Sequence, residues 1–252
     1  MEIIDFHTHP FISHEENICI YKEDAFDRTI SPAKDLRRCQ ISTFLGSVIC
    51  KAGEGFAPIS TSNVLARKLC RISGGAYIPG FQIDARFVDE SIKEIEKARA
   101  GNIKLIGELV PYIYGWDYSD EGFEKILQYT DRLDMVYSLH STDILKMREL
   151  ALRHKNTIFV FAHPGEADRL KLHIETMKMC ENVFLDLSGT GLFRYGMLKH
   201  LVNQVGAERI LFGTDYPICN PAMYIAAVLY ERLSENDMDL IFAGNAKRIL
   251  QL

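Results

Sequence analysis

Two histidines stand two residues apart near the start of the chain, in the run DFHTHP at 5–10. Such a pair, His7 and His9, holds a metal ion only if it ends a strand and other donors reach the same height. Donors of the right kind do close other strand-like runs: Glu108 in IKLIGEL, His140 in DMVYSLH, His163 in TIFVFAH and Asp215 in RILFGTD. Imidazole and carboxylate together suit zinc, manganese or iron. Any one of these residues alone reads more simply as a hydrogen-bonded polar strand end. Five strand ends carrying ligand types on one rim do not reduce to that. The two-residue period of a strand puts His7 and His9 on one face with Thr8 turned away. The same parity groups Lys104, Ile106 and Glu108.

The elements that would carry these residues repeat in order. Apolar, β-branched runs fall at 2–7, 43–49, 76–83, 103–109, 134–140, 157–163, 182–188 and 209–215. Segments of helical period lie between them, at 89–100, 143–154 and 166–180 among others. Eight strands alternating with helices predict an α/β fold, a (β/α)8 TIM barrel forming a single domain over residues 1–252. In that fold the C-terminal strand ends form one face, where chemistry sits. About 35 residues separate the first two strands, so the first loop is expected to be elaborated. Three other histidines, His154, His173 and His200, fall among Lys, Glu and Arg in helix-like segments, and a solvated helix face explains them. His14 lies in the first loop, as a substrate contact or as plain surface.

Composition narrows the class. The chain has 252 residues, 47% hydrophobic and 25% charged, ample for one large core. A net charge of −5 gives no pull toward nucleic acid or an acidic membrane surface. No apolar run reaches the roughly 18 residues of a membrane span. The N-terminus lacks the basic-then-apolar layout of a signal peptide. Six cysteines (19, 39, 50, 70, 180, 219) show no C-x-x-C pair and read as reduced thiols. The expected setting is cytoplasmic and the expected partner a small molecule, with a homo-oligomer left open.

The H-x-H of the first strand, the histidines ending strands 5 and 6 and the aspartate ending strand 8 resemble the amidohydrolase superfamily. RILFGTDYP at 209–217 and FAGNAKRIL at 242–250 resemble its branch containing aminocarboxymuconate-semialdehyde decarboxylase and 2-pyrone-4,6-dicarboxylate lactonase. The likeness runs through essentially the whole chain. It implies one or two divalent ions, zinc first and manganese or iron as alternatives. Many such enzymes bridge two metals with a carboxylated lysine ending strand 4. Lys104 lies four residues before Glu108, roughly 13 Å deeper at 3.3 Å per residue, too low to join them. It is expected instead inside the barrel, paired with an acid such as Asp5. Glu108 resembles the bridging glutamate of TatD-type nucleases, although those read ETD where this chain reads GTD. It is either a bridging ligand or an acceptor that orients a ligand histidine. With one ion, the resemblance makes His140 the further imidazole ligand and leaves His163 to activate water or polarise a carbonyl. With two, His140 and His163 hold the second ion.

The leading expectation is a metal-dependent hydrolase. Water bound to an ion between His7, His9 and Asp215 has its pKa lowered from about 15.7 toward about 7. It would attack an ester, lactone, amide or phosphoester, with Asp215 as general base. The alternative is metal-dependent, non-oxidative decarboxylation of an aromatic or unsaturated acid. A nuclease is disfavoured by charge, and a non-catalytic barrel by the complete ligand set. Two loops bear on substrate. PYIYGWDYS at 111–119 carries Tyr112 and Trp116, expected as aromatic walls, and GTGLFRYG at 189–196 carries Arg194, expected to grip an anionic group. Most of the loop aromatics are expected simply to pack against the barrel.

Overall fold

A computed structural model describes residues 1–27, 30–51 and 53–252. Eight parallel strands run in sequence order: β1 Ile4–Thr8, β2 Thr43–Ser47, β3 Tyr77–Phe81, β4 Leu105–Leu109, β5 Val136–Leu139, β6 Ile158–Phe161, β7 Val183–Asp186 and β8 Ile210–Leu211. The gap between β8 and β1 is closed by backbone bonds. Phe6 N donates to Phe212 O at 2.9 Å and Asp215 N to His7 O at 2.9 Å, and Thr8 bridges Tyr216. Helices return the chain from each strand to the next: α1 Pro32–Arg37, α2 Ala57–Ile72, α3 Val88–Ala100, α4 Glu121–Thr130, α5 Ile144–Arg153, α6 Ala167–Met179 and α7 Met197–Val205, with α8 Pro221–Tyr230 after the last strand. This is the single-domain (β/α)8 barrel the alternation predicts.

Two apolar layers hold it. Ile4, Phe6, Leu45, Leu105, Val136, Val160, Phe184 and Leu211 fill the barrel, plugged at its N-terminal end by Ala246, Ile249 and Leu250 of the last helix. The strand residues of opposite parity, among them Phe44, Ile106, Tyr137, Phe161 and Phe212, pack under the helices. Each large apolar side chain so buried contributes about 1.5–3 kcal/mol.

Strict alternation would not deliver the site residues. The pairing of β1 with β2 shifts register between Asp5 and Thr8, and that of β4 with β5 shifts between Ile106 and Leu109. Each shift inserts one extra residue, the signature of a β-bulge. Phe6 therefore faces the barrel interior and His7 does too. On β4, Ile106 packs outward while Glu108 turns inward, so the expected common face of Lys104, Ile106 and Glu108 does not exist. Gly107 makes the second bulge with φ +102°, and a Cβ there would stand 2.2 Å from Ser138 O. Only glycine fits. Lys104 sits half-buried at the foot of β4 and donates to Gln251 Oε1 rather than to Asp5. Asp5 is fully buried and accepts from Thr214 N at 3.0 Å, Thr214 Oγ1 at 2.5 Å and His7 N at 3.2 Å.

Two of the helix histidines are also not solvated. His173 shares the inward stripe of α6 with Leu170, Ile174 and Met177, the i, i+3, i+4, i+7 positions. His154 is buried at the end of α5, its Nε2 3.1 Å from Glu124 Oε2. His200 is exposed, as expected. Among the described residues no helix is long and apolar enough to cross a membrane.

Candidate metal centre

The two bulges and the ends of β5, β6 and β8 bring the predicted donors to one rim. His7 Nε2 and His9 Nε2 lie 3.3 Å apart. Glu108 Oε2 is 3.4 Å from the first and 3.3 Å from the second. Asp215 Oδ1 stands 3.7 and 3.5 Å from them. Adjacent ligand atoms around an ion with bonds of about 2.0–2.2 Å are spaced by about 3.0–3.6 Å. Asp215 Oδ1 is buried without a hydrogen-bond partner among the described residues. A buried carboxylate oxygen aimed at two imidazole nitrogens and lacking a proton donor suits a cation.

The far sides of the rings point the same way. His7 Nδ1 is 2.9 Å from Asp186 Oδ2 and His9 Nδ1 is 3.1 Å from the Ser47 carbonyl. Both partners only accept, so each Nδ1 carries the proton and each Nε2 directs its lone pair inward. Burial would push the Asp186 carboxyl up, but the His7 charge, the hydrogen bonds from His7 and Ser188 and the nearby His163 together hold it below its usual value. Burial would likewise lower His7, yet Asp186 and Glu108 hold it well above the ordinary histidine value. Burial would raise Glu108, and His7 with the bonds from His140 and His163 keeps it well below the carboxylate range. Positive charge is therefore favoured at this spot, whether a proton or an ion supplies it.

Glu108 faces both ways. Its Oε1 lies 3.0 Å from His140 Nδ1 and 3.3 Å from His163 Nε2. The sets His7–His9–Glu108 and Glu108–His140–His163 could each hold a metal ion, with the glutamate shared. Behind His163, Ser188 Oγ lies 3.0 Å from its Nδ1 and 3.0 Å from His7 Nδ1, and donates to Asp186 Oδ1. His163 and Asp215 both leave their strands in the left-handed region, at φ +67° and +63°. Non-glycine residues rarely adopt that conformation, and it clusters at functional sites.

The substrate-side expectations fare differently. Tyr112 stands exposed at the rim with its ring centroid 5.4 Å from His140. Trp116 instead packs into the outer layer between Tyr118 and Phe123. Its indole is the largest apolar surface in that loop, and the barrel covers it. Arg194 is largely exposed and makes a bidentate pair with Glu166 at 3.0 and 3.1 Å, so its charge is already met. The cavity beside the donors, about 400 Å³, is lined by His140, Ser141, His163, Arg169, Thr190 and Asp215. A larger cavity, about 520 Å³ between the first loop and the β8 loop, includes none of the cluster donors. Sequence reasoning missed Asp186, Ser188, Ser141 and Arg169. An acid inside the apolar run of β7 was a legible signal for the first; Arg169 was hidden in an ordinary helical pattern.

Eight parallel strands presenting imidazole and carboxylate donors at their C-terminal rim define a barrel with a cluster that could hold a metal ion. The family model for amidohydrolases matches residues 4–252, and the chain belongs to that family, in its amidohydrolase-2 type. No curated protein sequence matches it. Among solved structures it is similar to 2,6-dihydroxybenzoate decarboxylase from Rhizobium, at 16% identity and TM-score 0.76 over 100% of this chain and 99% of that one. A dihydroxybenzoic acid decarboxylase from Polaromonas with bound manganese and the inhibitor 2-nitroresorcinol gives 16%, 0.69, 100% and 97%. An amidohydrolase from Burkholderia multivorans with bound zinc gives 16%, 0.72, 100% and 100%.

Proposed function

We propose that the protein is a metal-dependent decarboxylase of small aromatic or unsaturated carboxylic acids. The observation that carries this reading is the buried cluster of His7, His9, Glu108 and Asp215, of which Asp215 lines a cavity of about 400 Å³ together with His140 and His163. The decarboxylases among the similar structures support it over hydrolysis, the first expectation from sequence. His7 and His9 through Nε2, Asp215 through Oδ1 and Glu108 through Oε2 would hold the ion. When bound, the ion supplies a Lewis acid that draws the substrate's oxygens to the rim.

The chain's own groups do the remainder. Asp186 and Ser47 fix the ring orientation of the two histidines. Asp215 would relay a proton taken from solvent to the carbon that bears the carboxylate. The bond to the carboxylate then breaks, its electron pair stays with that carbon's π system, and CO2 leaves. His163 faces the same cavity and helps to orient the substrate. Six unpaired cysteines suit a cytoplasmic setting.

A second reading has its own observation. Glu108 placed between two imidazole pairs suits two ions and hence hydrolysis, with His140 and His163 on the second ion. A panel of aromatic and unsaturated acids, lactones, amides and phosphoesters separates them, with protein loaded with zinc or manganese. CO2 release that needs the ion and disappears in Asp215→Asn is expected. Turnover of lactones, amides or phosphoesters with no CO2 from any acid would overturn decarboxylation in favour of hydrolysis.

A further inference from the structure

Behind the donors of β1 and β4 lies a buried amide that belongs to neither apolar layer. The ladder between β3 and β4 stops at the pair Phe81–Ile106, one residue before the Gly107 bulge. Past that point two side chains hold the Glu108 carbonyl: Gln82 Nε2 donates to it, and Ser47 Oγ donates to it at 3.1 Å. The Gln82 amide also donates to Ser47 Oγ at 2.7 Å. A carbonyl can only accept, so the amide must present its NH2 here, and its Oε1 has no partner among the described residues. The backbone of Gln82 is clamped from α2. Its N donates to Asn63 Oδ1 at 2.7 Å, and Asn63 Nδ2 donates to its carbonyl at 3.0 Å. Asn63 Nδ2 donates again to Glu94 Oε2 on α3 at 3.1 Å, which Arg67 meets at 3.2 Å. Ser47, Asn63 and Gln82 are at most 1% exposed. Packing alone needs none of these polar groups, and burying them is costly unless each bond is kept.

We infer that Gln82 is a positioning residue for the metal cluster, aiming Glu108 through its carbonyl and tying it to His9 through Ser47. Ser47 makes the tie because its carbonyl accepts from His9 Nδ1 at 3.1 Å while its hydroxyl holds Glu108. His9 follows β1 and Glu108 lies on β4, strands that are not neighbours in the sheet, and Ser47 on β2 with Gln82 after β3 spans the interval. Gly107, without a Cβ, gives the Glu108 peptide little resistance of its own to rotation. A rotated peptide would swing the carboxylate away from both imidazole pairs, so the clamp on the carbonyl decides where Oε1 and Oε2 stand. The inference goes beyond the choice between decarboxylation and hydrolysis and rests only on Glu108 as a ligand.

The test is a double-mutant cycle read as zinc affinity, by competition against a chelator of known affinity with the full chain. Gln82→Met keeps the length of the side chain and removes its donors. It should weaken zinc binding by about 10–100-fold, the usual effect of losing a group behind a metal ligand. In a Glu108→Gln background the same substitution should change affinity by no more than about twofold, because the carboxylate it positions is gone. A general loosening of the barrel would cost the same in both backgrounds, and melting temperatures after chelation report that loosening separately. Ser47→Ala, which removes the other donor to the carbonyl and leaves the acceptor of His9, should weaken zinc binding in wild type and not in Glu108→Gln. It carries the test by the same criteria if Gln82→Met does not fold. Zinc affinity within about twofold of wild type in the folded variant, or equal losses in the two backgrounds, would overturn the positioning role. Wild-type zinc affinity in Glu108→Gln alone would overturn it too, together with ligation by Glu108. A non-additive cycle in a protein that releases no CO2 from any acid would sink the decarboxylase reading and leave this one standing.

Discussion

Asp186 gives the sharpest lever on the metal cluster because it touches no substrate and no donor nitrogen. Its Oδ2 accepts from His7 Nδ1 at 2.9 Å, and its Oδ1 accepts from Ser188 N at 2.9 Å and from the Ser188 hydroxyl. Asp186→Asn keeps the shape but replaces one acceptor by an NH2. If the NH2 faces Ser188, it opposes two donors; if it faces His7, the imidazole must accept at Nδ1 and carry its proton on Nε2. That proton would point at Glu108 Oε2 and His9, where the ion would sit. Leaving a buried donor unpaired costs about 1–3 kcal/mol, and loss of a carboxylate behind a ligand histidine weakens metal binding by about 10–100-fold. The two figures agree, since about 1.4 kcal/mol is a factor of ten. The assay is competition against a chelator of known affinity, with zinc and with manganese, alongside circular dichroism to show that the barrel is intact. A folded Asp186→Asn variant with metal affinity within twofold of wild type would refute ligation through His7 Nε2.

Other outcomes follow from single features of the fold. A Cβ on Gly189 would stand 2.4 Å from His163 Nδ1, at a residue whose φ is +63°, so Gly189→Ala should displace His163. Activity should fall by about 100-fold while the ion at His7 and His9 is kept, the order of effect of misplacing one substrate-positioning group by about 1 Å; wild-type turnover with retained metal would contradict it. Burial, helped by Arg169, pushes His173 down to about 3. The unfolded chain then takes up a proton near pH 6.5 that the folded chain refuses, so stability is full above that value and is lost as pH falls toward 3. Between pH 7 and pH 5 this one group removes about 2 kcal/mol. Urea midpoints at the two pH values should therefore differ less in His173→Gln than in wild type, and an equal difference would count against it.

Much of this was legible in the residues. The helices at 88–100, 144–153 and 167–179 and the first seven strands stand within two residues of where alternation and helical period put them, while the eighth strand ends at Leu211, four residues before the end of its apolar run. His7, His9, Glu108, His140, His163 and Asp215 do converge, because ligand-type residues closing strand after strand can only meet at the rim of a barrel. What stayed hidden was register. A period of two cannot show a bulge, so the inward turn of Glu108 past Ile106 was misread as common parity with Lys104. His173 was misread for the opposite reason: its charged neighbours drew attention from the stripe of Leu170, Ile174 and Met177 to which it belongs. Arg194 was legible as a loop cation but not its partner: only the structure shows it paired with Glu166. Trp116 reads as an aromatic wall from its place in the loop after Glu108, and its position between Tyr118 and Phe123 follows from packing that no spacing encodes.

The central claim is that His7, His9, Glu108 and Asp215 hold a divalent ion, and metal content tests it most directly. Protein incubated with zinc or manganese and freed of excess should carry at least one ion per chain by mass spectrometry. It should melt at a higher temperature than after chelation, and His9→Ala should lose both the ion and the shift. A value near one in wild type assigns Glu108 to a single site, and a value near two assigns it as the bridge. Protein that takes up no first-row metal, and melts identically with and without chelator, would contradict the account.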